Sequence, residues 1–253
     1  MSVNVEKQAR LLTITWDKPP LNVLDIILLH ELDGILRSCA ADPAIDVVVL
    51  RGQGPKAFSA GVDIKDHTKE KVPEMLAVVH GVMRKLLRLP QVTIAAVRGA
   101  CLGGGCELAS VCDFIVASEE SSFATPEIFV GCYPPVALAR FPALIGYHRA
   151  AEMILTGRRF SAAEAKGMGL VNRVFAAGEL ENGLARLVGE LMDKSGAVMR
   201  LTVKGLRELS LRDFDAALNR SEQIYCDELL STADVEEGVQ AFLQKRQPHW
   251  RHR

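Results

Sequence analysis

No stretch of 18 or more residues is apolar throughout, so no segment reads as a membrane-spanning helix. Residues 1–10 are polar and mixed in charge, with no apolar core followed by small residues, which argues against secretion. Basic charge is not in excess: 30 Lys and Arg stand against 31 Asp and Glu, a net of −1. A general nucleic-acid binder would need a positive surplus, so none is expected. The six cysteines (Cys39, Cys101, Cys106, Cys112, Cys132, Cys226) form no C-x-x-C pair, and the six histidines are scattered. Neither a metal site nor a disulfide framework is therefore expected, and the thiols read as reduced, in a cytoplasmic-type compartment. G-x-G-x-x-G and Walker loops are absent, as are low-complexity segments and repeats of 20 to 50 residues.

What remains is an ordinary globular composition. Hydrophobic residues make up 49% of 253 positions and charged residues 24%, enough for one large buried core. Residues 11–16 alternate as a strand, closed by Lys18-Pro19-Pro20. Leu28, Leu32, Ile35, Leu36 and Cys39 form one stripe of an amphipathic helix ending before Asp42-Pro43. Residues 45–50, 92–97 and 113–117 are short apolar runs expected of buried parallel strands, and a polar loop covers 51–56. Helices are expected over about 72–89 and 106–111, and they dominate beyond about 135, where Val235, Val239, Phe242 and Leu243 mark the last. The pattern is α/β with a helical C-terminal extension.

Three segments carry possible chemistry. Gly103-Gly104-Gly105 joins a strand to a helix, so the backbone turns tightly and free N–H groups face whatever lies in front. Glu107 falls in the first turn of that helix; the segment reads either as an anion-stabilising site or as a packing turn with a helix-stabilising glutamate. Small residues at 59–61 bring the backbone close to something, or make a surface turn. Pro126-Glu127 sits in an apolar stretch, where a buried carboxylate needs a purpose or a partner; otherwise it is an exposed edge residue. Glu107 and Glu127 together offer paired carboxylates that divide acid and base roles.

Read in order, these segments resemble the crotonase (enoyl-CoA hydratase/isomerase) superfamily. The resemblance is carried by K-A-F-S-A-G-V-D-I-K at 56–65, G-A-C-L-G-G-G-C-E-L-A at 99–109, C-D-F-I-V-A-S at 112–118 and F-A-T-P-E-I-F-V-G at 123–131. T-G-R-R-F-S-A-A-E-A-K-G-M-G-L-V-N-R-V at 156–174 and E-G-V-Q-A-F-L-Q-K-R at 237–246 extend it along nearly the whole chain. It implies a ββα spiral catalytic core over residues 1–190 and a helical C-terminal trimerisation region over 191–253, assembling as a homotrimer or homohexamer.

By motif position the resemblance implies that the backbone N–H groups of Val62 and Gly104 hold a thioester oxygen as an enolate forms. It implies Glu107 as base on water and Glu127 as the group that moves the α-carbon proton. Coenzyme A, as part of the substrate, would meet Lys18, Pro20, Leu21, Ala60, Asp63 and Ile64. Phe242 and Lys245 match positions that reach the CoA of a neighbouring subunit, although Lys245 reads equally as a solvated charge; the basic end at Arg251, His252 and Arg253 reads as a solvated tail. Val62, Tyr133 and Pro134 would line the acyl pocket, and His67 reads as a loop cap rather than a ligand contact. No metal, redox cofactor, nucleic acid or membrane is implied. The expected activity is hydration of an enoyl-CoA in fatty acid or aromatic acid degradation.

The chain departs from straight-chain hydratases after Glu127. Cys132-Tyr133-Pro134-Pro135 replaces a glycine-rich turn, so two prolines stiffen it and reshape the pocket. Val62 is larger than the alanine common there. With Val62-Asp63-Ile64-Lys65-Asp66-His67 and Trp250, these details resemble the cyclohexa-1,5-diene-1-carbonyl-CoA hydratase branch. The alternatives are hydration of that cyclic diene, double-bond isomerisation with Glu127 alone shuttling the proton, and a non-catalytic acyl-CoA or RNA-binding relative.

Overall fold

The computed structural model describes residues 3–252. The chain opens with an antiparallel pair, β1 (Val3–Gln8) and β2 (Leu11–Trp16), in which Leu12, Ile14 and Trp16 point inward at the expected period of two. Helix α1 (Ile26–Ala41) follows, started by Asp25, whose Oδ1 accepts from Leu28 N at 2.9 Å. Leu28, Leu32, Leu36 and Cys39 are buried as the stripe requires, and Ile35 is half-buried.

A ββα unit then repeats. Its first occurrence is β3 (Val47–Gly52), β4 (Ala57–Ser59) and α2 (Val72–Arg88). Its second is β5 (Val92–Val97), β6 (Ala100–Leu102) and α3 (Gly104–Ser110). Its third is β7 (Phe114–Ser118) and β8 (Ser122–Ala124), then a 3-10 turn (Pro126–Val130), α4 (Pro135–Ile145) and α5 (Tyr147–Thr156). The remainder is β9 (Phe160–Ser161), α6 (Ala162–Gly167), β10 (Arg173–Phe175), α7 (Leu180–Met192), α8 (Gly196–Ser210), α9 (Phe214–Asp227) and α10 (Ala233–Leu243). The expected boundary at 190 falls inside α7.

In each unit the first strand joins a six-stranded sheet, ordered β1-β2-β3-β5-β7-β10, and the second joins a four-stranded sheet, ordered β4-β6-β8-β9. Beyond β1 the large sheet is wholly parallel. Val47 and Val49 of β3 pack with Ile94 and Val116 under α7 and α8, while Val48 and Leu50 face the opposite core. Burial on both faces is why these strands read as unbroken apolar runs.

Several boundaries move for identifiable reasons. The strand expected at 45–50 runs from Val47 to Gly52, because Arg51 and Gly52, read as loop, pair with Thr15 and Trp16. Asp46 instead closes the turn, buried between Arg10 (Nη1–Oδ2 2.6 Å) and Arg200. The strand expected at 113–117 begins one residue later, since Asp113 accepts from Thr93 N at 2.8 Å and pairs with the Arg207 guanidinium. Helix α3 starts at Gly104 rather than 106. Helices do dominate beyond 135, interrupted by the short strands β9 and β10. All six cysteines are free.

Candidate active site

The glycine turn positions the site. Gly103 takes φ +52° and ψ −130° between β6 and α3, a conformation closed to residues with a Cβ, and its N–H bonds Ala124 O at 2.9 Å. A Cβ on Gly103 would lie 2.7 Å from Glu127 Oε1; one on Gly104 would lie 2.7 Å from Val62 Cγ2 and 3.4 Å from Val62 N. The absence of side chains therefore lets three chain segments converge.

Val62 is oriented by a parallel bridge to Leu24. Leu24 N bonds Gly61 O at 2.9 Å, and Asp63 N bonds Leu24 O at 3.2 Å. In such a bridge the intervening residue turns its own N–H to the other side. That side holds Gly104, the first residue of α3, whose N–H has no intrahelical acceptor. Two backbone donors thus lie together at a helix N-terminus, the arrangement that stabilises a developing oxyanion.

A cavity of about 300 Å³ opens in front of them, lined by Val62, Gly104, Glu107, Glu127 and Tyr133 among others. Glu107 is buried, and its Oε1 accepts from Ala137 N at 2.9 Å, at the start of α4. The Pro134-Pro135 turn sets that helix start. Burial pushes the Glu107 carboxyl up, opposed by the nearby His80 and the N–H groups of Ala137 and Val136. Glu127, on the 3-10 turn, is half-buried as a residue, yet its Oε2 is sealed from solvent and has no partner. Burial, then repulsion from Glu107, holds its carboxyl well above the ordinary range. Of the two carboxylates, Glu107 is the one that receives a backbone donor, while the buried Glu127 oxygen receives none.

Of the other residues expected near substrate, Ala60, Ile64, Pro134 and Phe242 also line the cavity. Leu21 stands at its edge through the bond from Ala60 N to Leu21 O, 2.9 Å. Pro20 precedes it in the same turn. Lys18 is ion-paired with Asp25, and Asp63 caps the Ile64–Asp66 turn by accepting from Lys65 N at 3.0 Å. Lys245 lies on the outer surface beside Phe129 and Trp250, and Arg246 is the basic residue that reaches the cavity lining. His67 does both things weighed for it: it lines the cavity, and its Nδ1 lies 3.1 Å from Asp63 O in the loop. Burial pushes its imidazole down.

Sequence reasoning missed Met75, Leu76, Val79 and His80 of α2 and Tyr225 of α9, all of which line the cavity. Met75, Leu76 and Val79 look like ordinary core residues, and a buried ring on an apolar helix face, as at His80 and Tyr225, is equally what a core produces.

The family profile described as enoyl-CoA hydratase/isomerase matches residues 6–253. A probable enoyl-CoA hydratase of Rhizobium meliloti is 38% identical over 255 residues, covering 98% of this chain and 97% of that one. The cyclohexa-1,5-dienecarbonyl-CoA hydratase of Thauera aromatica is 30% identical over 254 residues, covering 100% and 97%. Among solved structures, an enoyl-CoA hydratase from Mycobacterium avium subsp. paratuberculosis superposes with a TM-score of 0.89 at 28% identity, covering 99% of this chain and 98% of that one. The chain belongs to the enoyl-CoA hydratase/isomerase family and has the crotonase fold. It is an enoyl-CoA hydratase-like enzyme, a hydro-lyase.

Proposed function

We propose that the protein adds water across the conjugated double bond of an enoyl-CoA thioester. The observation that carries this reading is the opening of two carboxylates, one held by a backbone N–H and one with a buried oxygen left without a partner, and two backbone donors onto one cavity. Glu107, the better anion, takes a proton from water as the water oxygen bonds the β-carbon. The π electrons shift to the thioester oxygen, which Val62 and Gly104 N–H groups hold as an enolate. Glu127, the better acid, then gives its proton to the α-carbon as the carbonyl re-forms. One proton exchange between the carboxylates, or with solvent, restores the starting state. Holding water between two carboxylates supplies the orientation that bulk water lacks, and each oxyanion donor contributes about 3 to 4 kcal/mol.

The CoA moiety lies along the segment from Ala60 to Ile64 and the turn at Pro20 and Leu21. Helix α8 leaves Val198, Leu201, Leu206 and Leu209 exposed, an apolar face that supports assembly into a trimer or hexamer. The free thiols fit a cytoplasmic setting. A second reading, hydration of a cyclic dienoyl-CoA, is favoured by the Thauera relative and by the prolines that replace the glycine-rich turn.

Loss of conjugated absorbance across straight-chain and cyclic enoyl-CoA thioesters, run in ¹⁸O-labelled water, tests both. Label in a new hydroxyl of the product supports hydration, and the preferred thioester separates the two substrates. A shifted double bond without label assigns isomerisation instead.

A further inference from the structure

One part of the cavity wall supplies no reacting group to that chemistry, although His80 within it lies near Glu107. Helix α2 contributes Met75, Leu76 and Val79, all apolar, and then His80, whose ring is 1% exposed. His80 Nδ1 lies 2.6 Å from Glu222 Oε1 on α9, and Glu222 is held in turn by Arg84 at 3.0 Å. Because Nδ1 is committed to the carboxylate, Nε2 is the ring atom left for an occupant of the cavity. One turn of α9 beyond Glu222, Tyr225 lines the same cavity at 1% exposure, and its hydroxyl meets no nitrogen or oxygen partner among the described residues. Its hydrogen-bonding neighbour is the Cys132 thiol, which donates to Val130 O at 3.6 Å and offers the hydroxyl its sulfur. Sulfur is in any case a weak partner.

A purely hydrocarbon acyl group would offer neither His80 nor Tyr225 a hydrogen bond. A buried hydroxyl without a strong partner is costly, so such groups need an explanation. Ligand cavities of mostly apolar lining use a few placed polar groups to select what enters. Tyr133, the neighbouring ring at 5.0 Å, has its hydroxyl proton committed to Ser221 O at 2.7 Å and can only accept.

We infer that His80, held by Glu222, and the hydroxyl of Tyr225 form a recognition site for an oxygen substituent, a hydroxyl or ring carbonyl, on the acyl group. This deepens the reading of the cavity as an acyl-thioester site and rests on it. His80 and Tyr225 are specificity-determining residues; the reacting atoms belong to the glutamates and the backbone donors. A site built to hydrogen-bond a substrate oxygen discriminates strongly against the analogue that lacks it, because its own polar groups are then left bare.

The test uses saturated thioesters, which bind but cannot be hydrated. Calorimetry compares hexanoyl-CoA with its 5-hydroxy and 6-hydroxy forms, and cyclohexanecarbonyl-CoA with ring-hydroxy and ring-oxo forms, on the full-length protein. At least one oxygenated member should bind about 10- to 100-fold tighter than its parent. In Tyr225→Phe, which removes only the hydroxyl, and in His80→Leu, that ratio should fall to within about threefold of one. Should His80→Leu fail to fold, Tyr225→Phe and the wild-type ratio decide the matter. Equal affinities within both series, or a preference that survives Tyr225→Phe undiminished, overturn the inference. Hydration is measured separately by the labelled-water assay, and failure to hydrate any enoyl-CoA leaves this binding test intact.

Discussion

On one side of the cavity, α3 and α4 give Glu107 an N–H from Ala137 at 2.9 Å, with the imidazole of His80 nearby. On the other side, the turn after β8 gives Glu127 a buried Oε2 with no partner and the charge of Glu107 in front of it. The two walls thus hold the same side chain in opposite electrical settings. A helix start and backbone donors favour the anion, whereas an apolar wall and a like charge favour the neutral acid. A difference of that kind lets two identical carboxyl groups act as base and acid in one turnover.

The largest expected effect comes from erasing the contrast. Glu127→Gln and Glu107→Gln should each lower kcat by about 10²- to 10⁴-fold, while calorimetry still detects binding of a saturated acyl-CoA. Retained turnover in either variant removes that residue from the mechanism. Gly103→Ala comes next. A methyl group would meet Glu127 Oε1 at 2.7 Å with φ at +52°, so the acid moves. A fall in kcat of about 10²-fold is expected from misplacement alone, and a crystal structure of the variant should show the carboxyl displaced.

The pH profile sharpens the comparison further. Because Glu107 must be ionised and Glu127 protonated, kcat should fall as pH drops through the raised Glu107 pKa and as it rises through the still higher Glu127 pKa. The Glu107→Gln substitution removes the charge that helps raise Glu127, so the carbonyl-carbon NMR titration of Glu127 should move to lower pH in that variant. A midpoint unchanged by the substitution would uncouple the pair.

The smallest effect concerns stability. A carboxyl whose folded pKa is raised binds its proton more tightly when folded. Stability is therefore greatest below the unfolded value and falls as pH rises toward the folded one. Glu127→Gln lacks that penalty, so its Tm at pH 9 should exceed the wild type's by about 2 to 4 °C, a gap that closes at pH 4. A constant gap across that range would mean that Glu127 is not held neutral.

The strands at Leu11–Trp16 and Val92–Val97 were legible residue for residue, because alternation in one and continuous burial in the other are local patterns. The strands Ala57–Ser59, Ala100–Leu102 and Ser122–Ala124 were not, since three residues carry no periodicity and pair only across 20 or more intervening positions. Of the site, Val62, Gly104, Glu107 and Glu127 were readable through motifs that the glycines make conspicuous. His80 and Tyr225 were invisible, because on an amphipathic helix a buried ring looks the same whether it faces a core or a cavity. Lys245 and Arg246 show the same limit: both line the outer surface pocket, and Arg246, paired with Glu237, also borders the cavity.

By itself the amino-acid order determined the alternation of strands and helices, the three glycines that admit close backbone approach, and the presence of two acids beside them, all of which follow from short-range sterics and polarity. Tertiary structure alone decided that one acid receives a backbone donor while the other keeps a buried oxygen without a partner, and that α2 and α9 turn a histidine and a tyrosine toward one cavity. Those properties depend on what surrounds each group in space, and desolvation and charge act across distances that sequence separation does not measure.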